Sequence, residues 1–139
     1  MKPSNEMLAH CVCTQVRTVA RLVTRTYDEA LRTTGLKASQ LSVLAAVDAL
    51  EAPSIVALSK ALAMDRTTLS RNLRPLVAAG LVVMREDGRS RTTTITAQGQ
   101  AAIKAAFPLW RKAQSELLRR IGEPLVDSTR AQLLRLRKA

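Results

Sequence analysis

The sequence predicts a mainly α fold: a winged helix–turn–helix with a two-stranded β-hairpin wing, and N- and C-terminal helices forming a dimerisation region. Three observations predict it. Leu58 to Leu73 reads as two short amphipathic helices joined by a tight turn, with Asp65 where a helix N-cap belongs. After Gly80 the period changes, and the short β-branched runs Leu81–Arg85 and Thr92–Thr96 flank a polar turn, Glu86–Arg91, that carries Gly88. Long helical patterns stand at both ends, and neither can bury its whole apolar stripe on a compact centre.

Each element has its own signal. Leu8, Val12, Val16, Val19, Val23 and Ala30 recur at helical spacing, so one long helix is expected from Met7 to Arg32, with Gly35 as its stop. Leu41, Leu44, Ala45 and Val47 set a second helix over Ser39–Leu50, ending before Pro53. Ser54 can cap the next, Ile55–Leu62. The helix after Asp65 runs to about Ala79, and Pro75 lacks the N–H that would reach Arg71, so a bend is expected there. Beyond the hairpin, Ile103, Phe107, Trp110, Gln114, Leu117 and Ile121 share a stripe interrupted by Pro108. A last helix, Asp127–Lys138, carries Leu133, Leu134 and Leu136.

Composition limits the function classes. In 139 residues, 22 Lys and Arg face 11 acidic residues, a net charge of +11 that favours a polyanionic partner. No apolar run approaches the roughly 20 residues a bilayer requires, and the N-terminus lacks the plan of a signal peptide. A cytoplasmic location without membrane contact is therefore expected, with Cys11 and Cys13 as thiols. Aromatic residues make up only 2% of the chain, too few for base-stacking platforms, so duplex DNA fits better than single strands.

The helix after Asp65 is the DNA-reading candidate. At 100° per residue, Leu69, Leu73, Leu76 and Val77 gather on one side. Thr67, Arg71 and Arg74 gather on the other, with Ser70 at its edge. Short hydroxyls and guanidinium groups on one helix face can reach phosphates and base edges in a major groove. A solvated charged face is the plain alternative. The arginines of the hairpin, Arg89 and Arg91, can enter a minor groove, where narrow A/T-rich stretches concentrate negative potential. One such helix reads few base pairs, and a two-fold dimer doubles the contact on a palindromic site.

The sequence resembles the MarR family of transcriptional regulators over nearly its whole length. The resemblance is carried by Tyr27–Leu31 with Gly35-Leu36, by Gln40–Leu44, Leu58–Leu62, Met64–Arg71 and Leu76–Val82, and by Thr96-Ala97-Gln98-Gly99. It implies a homodimeric repressor of a palindromic operator in double-stranded DNA, released by a small molecule or by cysteine oxidation. Residues 1–35 and 97–139 would then supply the dimerisation helices of a single domain, and 36–96 the DNA-binding core. By the same resemblance Arg66, Thr67, Thr68, Ser70, Arg71 and Arg74 belong to the DNA-binding surface. Asp87-Gly88-Arg89 matches the family's wing motif, Asp87 bracing the loop and Arg89 reaching the minor groove, though the loop is shorter than usual and Gly88 stands where arginine is common.

Cys13 and Tyr27 stand at the spacing found in the organic-hydroperoxide-sensing OhrR branch of that family. A thiolate attacks peroxide to give a sulfenic acid, and the Tyr27 phenol with Arg17, one turn on, could stabilise that thiolate. A second tyrosine of that branch falls at Ala38, and no C-terminal cysteine exists to resolve the oxidised form. On a continuous helix Cys11 and Cys13 point about 160° apart, so they should not bond within one chain. Small buried thiols are the plain alternative. A phenolic or aromatic-acid ligand between the dimer helices and the core is a further option.

No cofactor or metal is expected. His10-Cys11-x-Cys13 is not a zinc spacing, and His10 is the only histidine. An enzyme is disfavoured: no Gly-rich phosphate loop is present, a Ser/His/Asp set would have to use His10, and Asp48 with Glu51 reads as a solvated pair. Sequence-neutral architectural DNA binding is the rival supported by charge, and it would be expected to show mainly Lys and Arg on the reading face.

Overall fold

The computed structural model describes residues Met1–Ala139. The chain runs α1 (Pro3–His10), α2 (Val12–Leu31), a 3-10 turn (Arg32–Thr34), α3 (Ala38–Ala49), α4 (Ile55–Leu62) and α5 (Arg66–Ala78). Then come β1 (Val82–Asp87), β2 (Ser90–Ile95), α6 (Ala97–Ile121) and α7 (Glu123–Lys138). This is the winged helix–turn–helix class the sequence predicts, with α4 and α5 as the helix pair and antiparallel β1–β2 as the wing.

The helix pair is set by its caps. Ser54 Oγ accepts from the Ala57 N–H at 3.1 Å, and Asp65 Oδ1 from the Thr68 N–H at 2.7 Å, so each helix begins on a satisfied donor. Between them Ala63 turns the chain at φ 50°, a left-handed conformation that costs a non-glycine residue about 1–2 kcal/mol. Gly80, at φ 71°, ends α5 as the Leu81 N–H returns to Leu76 O at 2.9 Å. Inside, Val43, Leu44 and Val47 of α3, Leu58 of α4, Leu69, Leu73 and Leu76 of α5, and Val82 of β1 form the core.

The wing is fastened to that core by polar side chains. Thr93, wholly buried, gives both its N–H and its hydroxyl to Pro53 O at 2.9 Å, while Ser54 bridges Thr92. Thr96 donates to Gly80 O at 2.6 Å and accepts from the Gly99 N–H at 3.0 Å, which starts α6 against β1. On the other side α2 and α6 pack together, with Leu31, Ala106 and Ala113 buried. Asp28 of α2 accepts from the Ala38 N–H at 2.7 Å and so caps α3 from a neighbouring helix. α1 and α7 bury no residue. Arg137 of α7 donates to Ala61 O at 3.1 Å, at the end of α4.

Several expectations need correction. The first helix is not continuous: Cys11, at φ −70° and ψ 112°, breaks it and becomes the N-cap of α2. An N-cap residue takes extended backbone, so the 160° separation of Cys11 and Cys13 no longer applies. The wing turn is Gly88-Arg89 alone, because Glu86 pairs with Arg91 and Asp87 with Ser90 in the ladder. An ion pair at 3.5 Å between Arg91 and Glu86 carries the strands through charged residues. α7 begins at Glu123 and not Asp127, since Pro124 lies in its first turn, where a missing N–H costs nothing. Val77 is 38% exposed instead of joining the leucines of α5 in the core.

Candidate nucleic-acid interface

Anchored on Leu69, Leu73 and Leu76, α5 turns its opposite face to solvent. Arg66, Thr67, Ser70, Arg71 and Arg74 are all exposed there, and Thr68 is half-buried. Hydrogen bonds from the Thr68 N–H and hydroxyl hold the Asp65 carboxyl below the usual carboxylate range, and the Arg71 charge adds to this. Asn72 Nδ2 donates to Thr68 O at 2.9 Å and is thus tied to the helix itself. No arginine of α5 is in direct ion-pair contact with a carboxylate, so their guanidinium groups stay free at the surface.

The wing lies beside this face. Val82, Met84, Thr93 and Ile95 point inward while Val83, Arg85 and Thr94 point out, and Arg91 shares the inward register. Between wing and α5 runs a crevice of about 770 Å³ lined by Arg66, Ser70, Arg74, Arg89, Ser90 and Arg91. Val77 and Met84 form part of its floor. Four guanidinium groups around one groove, with three serine hydroxyls once Ser54 is counted, are groups that can hydrogen-bond phosphate oxygens. Arg71 and Thr67 do not line the crevice and lie on the open helix face. Sequence reading missed Ser90, Val77 and Met84. Alternation along β1 could have found Met84, whereas Val77 depends on where the wing packs.

Asp87 does not brace the loop through its carboxylate, which accepts no hydrogen bond; Ser90 Oγ instead donates to Asp87 O at 3.0 Å. The backbone carbonyl closes this turn because two residues leave no room for a side chain to fold back.

Within one chain the residues of the thiol constellation are not brought together. Along α2, Cys13 and Tyr27 are separated by about 21 Å, and the Tyr27 hydroxyl donates to Gln114 Oε1 of α6. Burial raises the Tyr27 hydroxyl above its ordinary pKa. Cys13 and Arg17 are exposed. Cys11 is the chemically distinct thiol: hydrogen bonds from the Thr14 hydroxyl and N–H draw it below its ordinary value. A second cavity, about 410 Å³, opens between α2, α3 and α6, with Tyr27, Leu41, Ile103, Phe107 and Trp110 in its wall. No group of His, Cys, Asp and Glu side chains is arranged to hold a metal, and no helix is long and apolar enough to cross a membrane.

Comparison with known proteins agrees with this geometry. The MarR family model matches residues 34–91. No curated protein matches the chain. Among solved structures, the M. tuberculosis transcriptional regulator MosR is 34% identical, with 94% of this chain and 98% of that chain covered and a TM-score of 0.81. MosR in complex with DNA matches at 34% identity, with 93% and 95% covered and a TM-score of 0.83. A mutant of E. coli MarR complexed with operator DNA shares the fold at 21% identity, 94% and 96% coverage and a TM-score of 0.83. With its exposed arginine–hydroxyl helix beside a basic wing, and a relative of this identity along nearly its full length, the chain belongs to the MarR family of DNA-binding transcriptional regulators.

Proposed function

We propose that the protein is a homodimeric repressor that reads a palindromic operator in double-stranded DNA and is released by a small molecule or by cysteine oxidation. In this reading residues 1–35 and 97–139 are the dimerisation helices and 36–96 the DNA-binding core, acting in the cytoplasm and without catalysis. The observation that carries it is the pairing of two exposed basic surfaces, α5 and the wing, around one crevice. Thr67, Ser70 and Arg71 face bases in the major groove, with Thr68 at the edge of that face. Arg66, Arg74 and Arg91 hold the phosphate backbone between the elements, and Arg89 at the wing tip, beside Asp87, enters the minor groove. A guanidinium paired bidentately with guanine is the commonest specific contact, and Arg71 stands where that contact belongs.

The decisive measurement is fluorescence anisotropy with DNA from the protein's own promoter and with a scrambled duplex, across a salt series. A steep loss of affinity with salt is expected as phosphate counterions return. Arg71→Ala should weaken operator binding by about tenfold to a hundredfold and relax preference at one position. Equal affinity of the wild-type protein for both duplexes would establish the architectural reading instead. That reading is disfavoured because α5 mixes threonine, serine and arginine where a purely electrostatic binder needs only charge.

Self-association is supported by the apolar stripe of α2, where Val12, Val16 and Val19 are 63%, 43% and 55% exposed. Leu133, Leu134 and Leu136 of α7 are likewise more than half exposed. Oxidation as a release signal is supported by two free thiols at the α1–α2 break, Cys11 half-buried and Cys13 exposed, with Cys11 drawn below its ordinary value. The thiolate sulfur attacks one oxygen of a hydroperoxide, the O–O bond breaks, and the alcohol leaves as Cys–SOH forms. Hydroperoxide treatment is expected to free DNA from the wild type but not from Cys11→Ser or Cys13→Ser. Release from both variants at the wild-type dose would remove oxidation as the signal. The rival signal is a small molecule in the cavity between α2, α3 and α6, placed where filling it shifts the arms against the DNA-reading head.

A further inference from the structure

We propose that Thr93 is a positioning residue for DNA binding. Its hydroxyl sets the tilt of β2 over the start of α4, and so holds Arg91 at the distance from α5 at which one phosphate meets both. The inference rests on the reading of the crevice as a phosphate groove and adds to it a residue that touches no DNA.

Thr93 is the one polar residue of the buried core. Its N–H donates to Pro53 O at 2.9 Å, the only backbone hydrogen bond between the α3–α4 connection and the wing. The hydroxyl donates to the same oxygen, also at 2.9 Å. Sheet pairing needs the N–H alone. Burying a hydroxyl costs free energy unless it is bonded, and valine, equally at home in a strand, would fill the same space without that cost. What the hydroxyl supplies is geometry. One N–H fixes how far β2 stands from Pro53 but leaves the strand free to rock about a single bond. A second donor reaching the same acceptor from the side chain fixes the tilt as well.

The acceptor is tied to the helix pair, because Pro53 is followed at once by Ser54, whose hydroxyl caps α4. The donor is tied to the crevice. Side chains two apart in a strand share a face, so Arg91 projects on the side of Thr93, about 7 Å along β2 toward the tip. Arg89 stands at the tip itself, about 13 Å away by the same rise. A change of tilt at Thr93 therefore moves both arginines relative to Arg66, Ser70 and Arg74 across the crevice. Arg91 is already held in place through Nε, 3.5 Å from Glu86 Oε1. A guanidinium carries five N–H donors, so enough remain for a phosphate.

A double-mutant cycle on the full chain tests this, with operator affinity followed by anisotropy across a salt series. Thr93→Val and Thr93→Ala both remove the hydroxyl, and circular dichroism confirms that each is folded. Each should bind operator about fivefold to tenfold more weakly, with the salt slope reduced by about one phosphate contact. Thr93→Ser, which keeps the hydroxyl, should stay within about twofold of the wild type. In an Arg91→Gln background Thr93→Val should cost nothing further, because the two residues act through one contact. A residue that only stabilises the fold would lower the melting temperature, leave the salt slope alone and weaken binding equally in either background. That pattern, or unchanged affinity and slope in both hydroxyl-less variants, overturns the inference and leaves the phosphate groove standing. Wild-type affinity and slope for Arg91→Gln overturn both.

Discussion

Val19→Asp is expected to convert the protein to a monomer at micromolar concentration and to lower operator affinity by a hundredfold or more. Val19 sits on the apolar face of α2, in line with Val12, Val16 and Val23, and is 55% exposed in the single chain. Fully burying an aliphatic side chain of this size is worth about 1.5–3 kcal/mol, so a stripe of them on each of two copies can hold a dimer together. A carboxylate at the centre of that seam would be desolvated with no partner, and the two-fold axis would bring a second one close to it. The effect on DNA follows from linkage of two reading heads. The second head binds as an intramolecular event, an advantage of about 10²–10⁴ in affinity that a monomer loses. Sedimentation gives the mass, anisotropy the affinity. Arg21→Ala is the control: Arg21 lies on the opposite, polar face of α2 and bonds only to Thr18 Oγ1, so mass and affinity should not change. A Val19→Asp protein that sediments as the wild type would place the dimer seam elsewhere.

Gly99→Ala is expected to lower stability by about 3 kcal/mol or more through forced repacking, and the melting temperature by roughly 10 °C at fixed protein concentration. An added Cβ would stand 2.2 Å from Leu81 O and 2.7 Å from Ile95 Cγ1. The carbonyl is the harder obstacle: Leu81 O already accepts from the Thr96 N–H at 3.0 Å, so moving it opens the junction of wing and α6. Thermal unfolding by circular dichroism measures the effect. Gly88→Ala is the contrast, because nothing lies within 4 Å of its Cβ position and only the cost of φ 61° remains. A shift for Gly99→Ala no larger than that for Gly88→Ala would mean that α6 can move off β1 freely.

How far the sequence could be read is clearest residue by residue. Asp65 and Ser54 were legible because a cap is a local event: one oxygen, and one donor three residues on. The leucines of α5 were legible because burial repeats with the helix. Val77 shares their side, yet the wing approaches α5 there and leaves a crevice in place of core, which helix period alone cannot tell. Cys11 was hidden for a different reason. Nothing in its neighbours forbids helix, and the extended backbone it adopts, φ −70° and ψ 112°, shows only in the fold. The wing was recognised but its turn was drawn too long, because charged residues are poor strand formers until Glu86 and Arg91 meet across the ladder. For the candidate site, the helix face could be read from spacing. The crevice could not, since it exists only where α5 and the wing come together. The partner of Tyr27 was out of reach too: Gln114 lies 87 residues away, and only folding brings the pair together.

The ladder from Val82↔Ile95 to Asp87↔Ser90 is unbroken and its turn is two residues long. Side chains alternate between faces along it, so a single residue inserted in β2 would send Arg91 outward, and one inserted in β1 would turn Arg85 or Val83 into the groove beside α5. Only insertions of two residues in each strand keep the arginines aimed as they are. The length of this wing is thus quantised, and any natural or designed extension that preserves its aim must come in even steps.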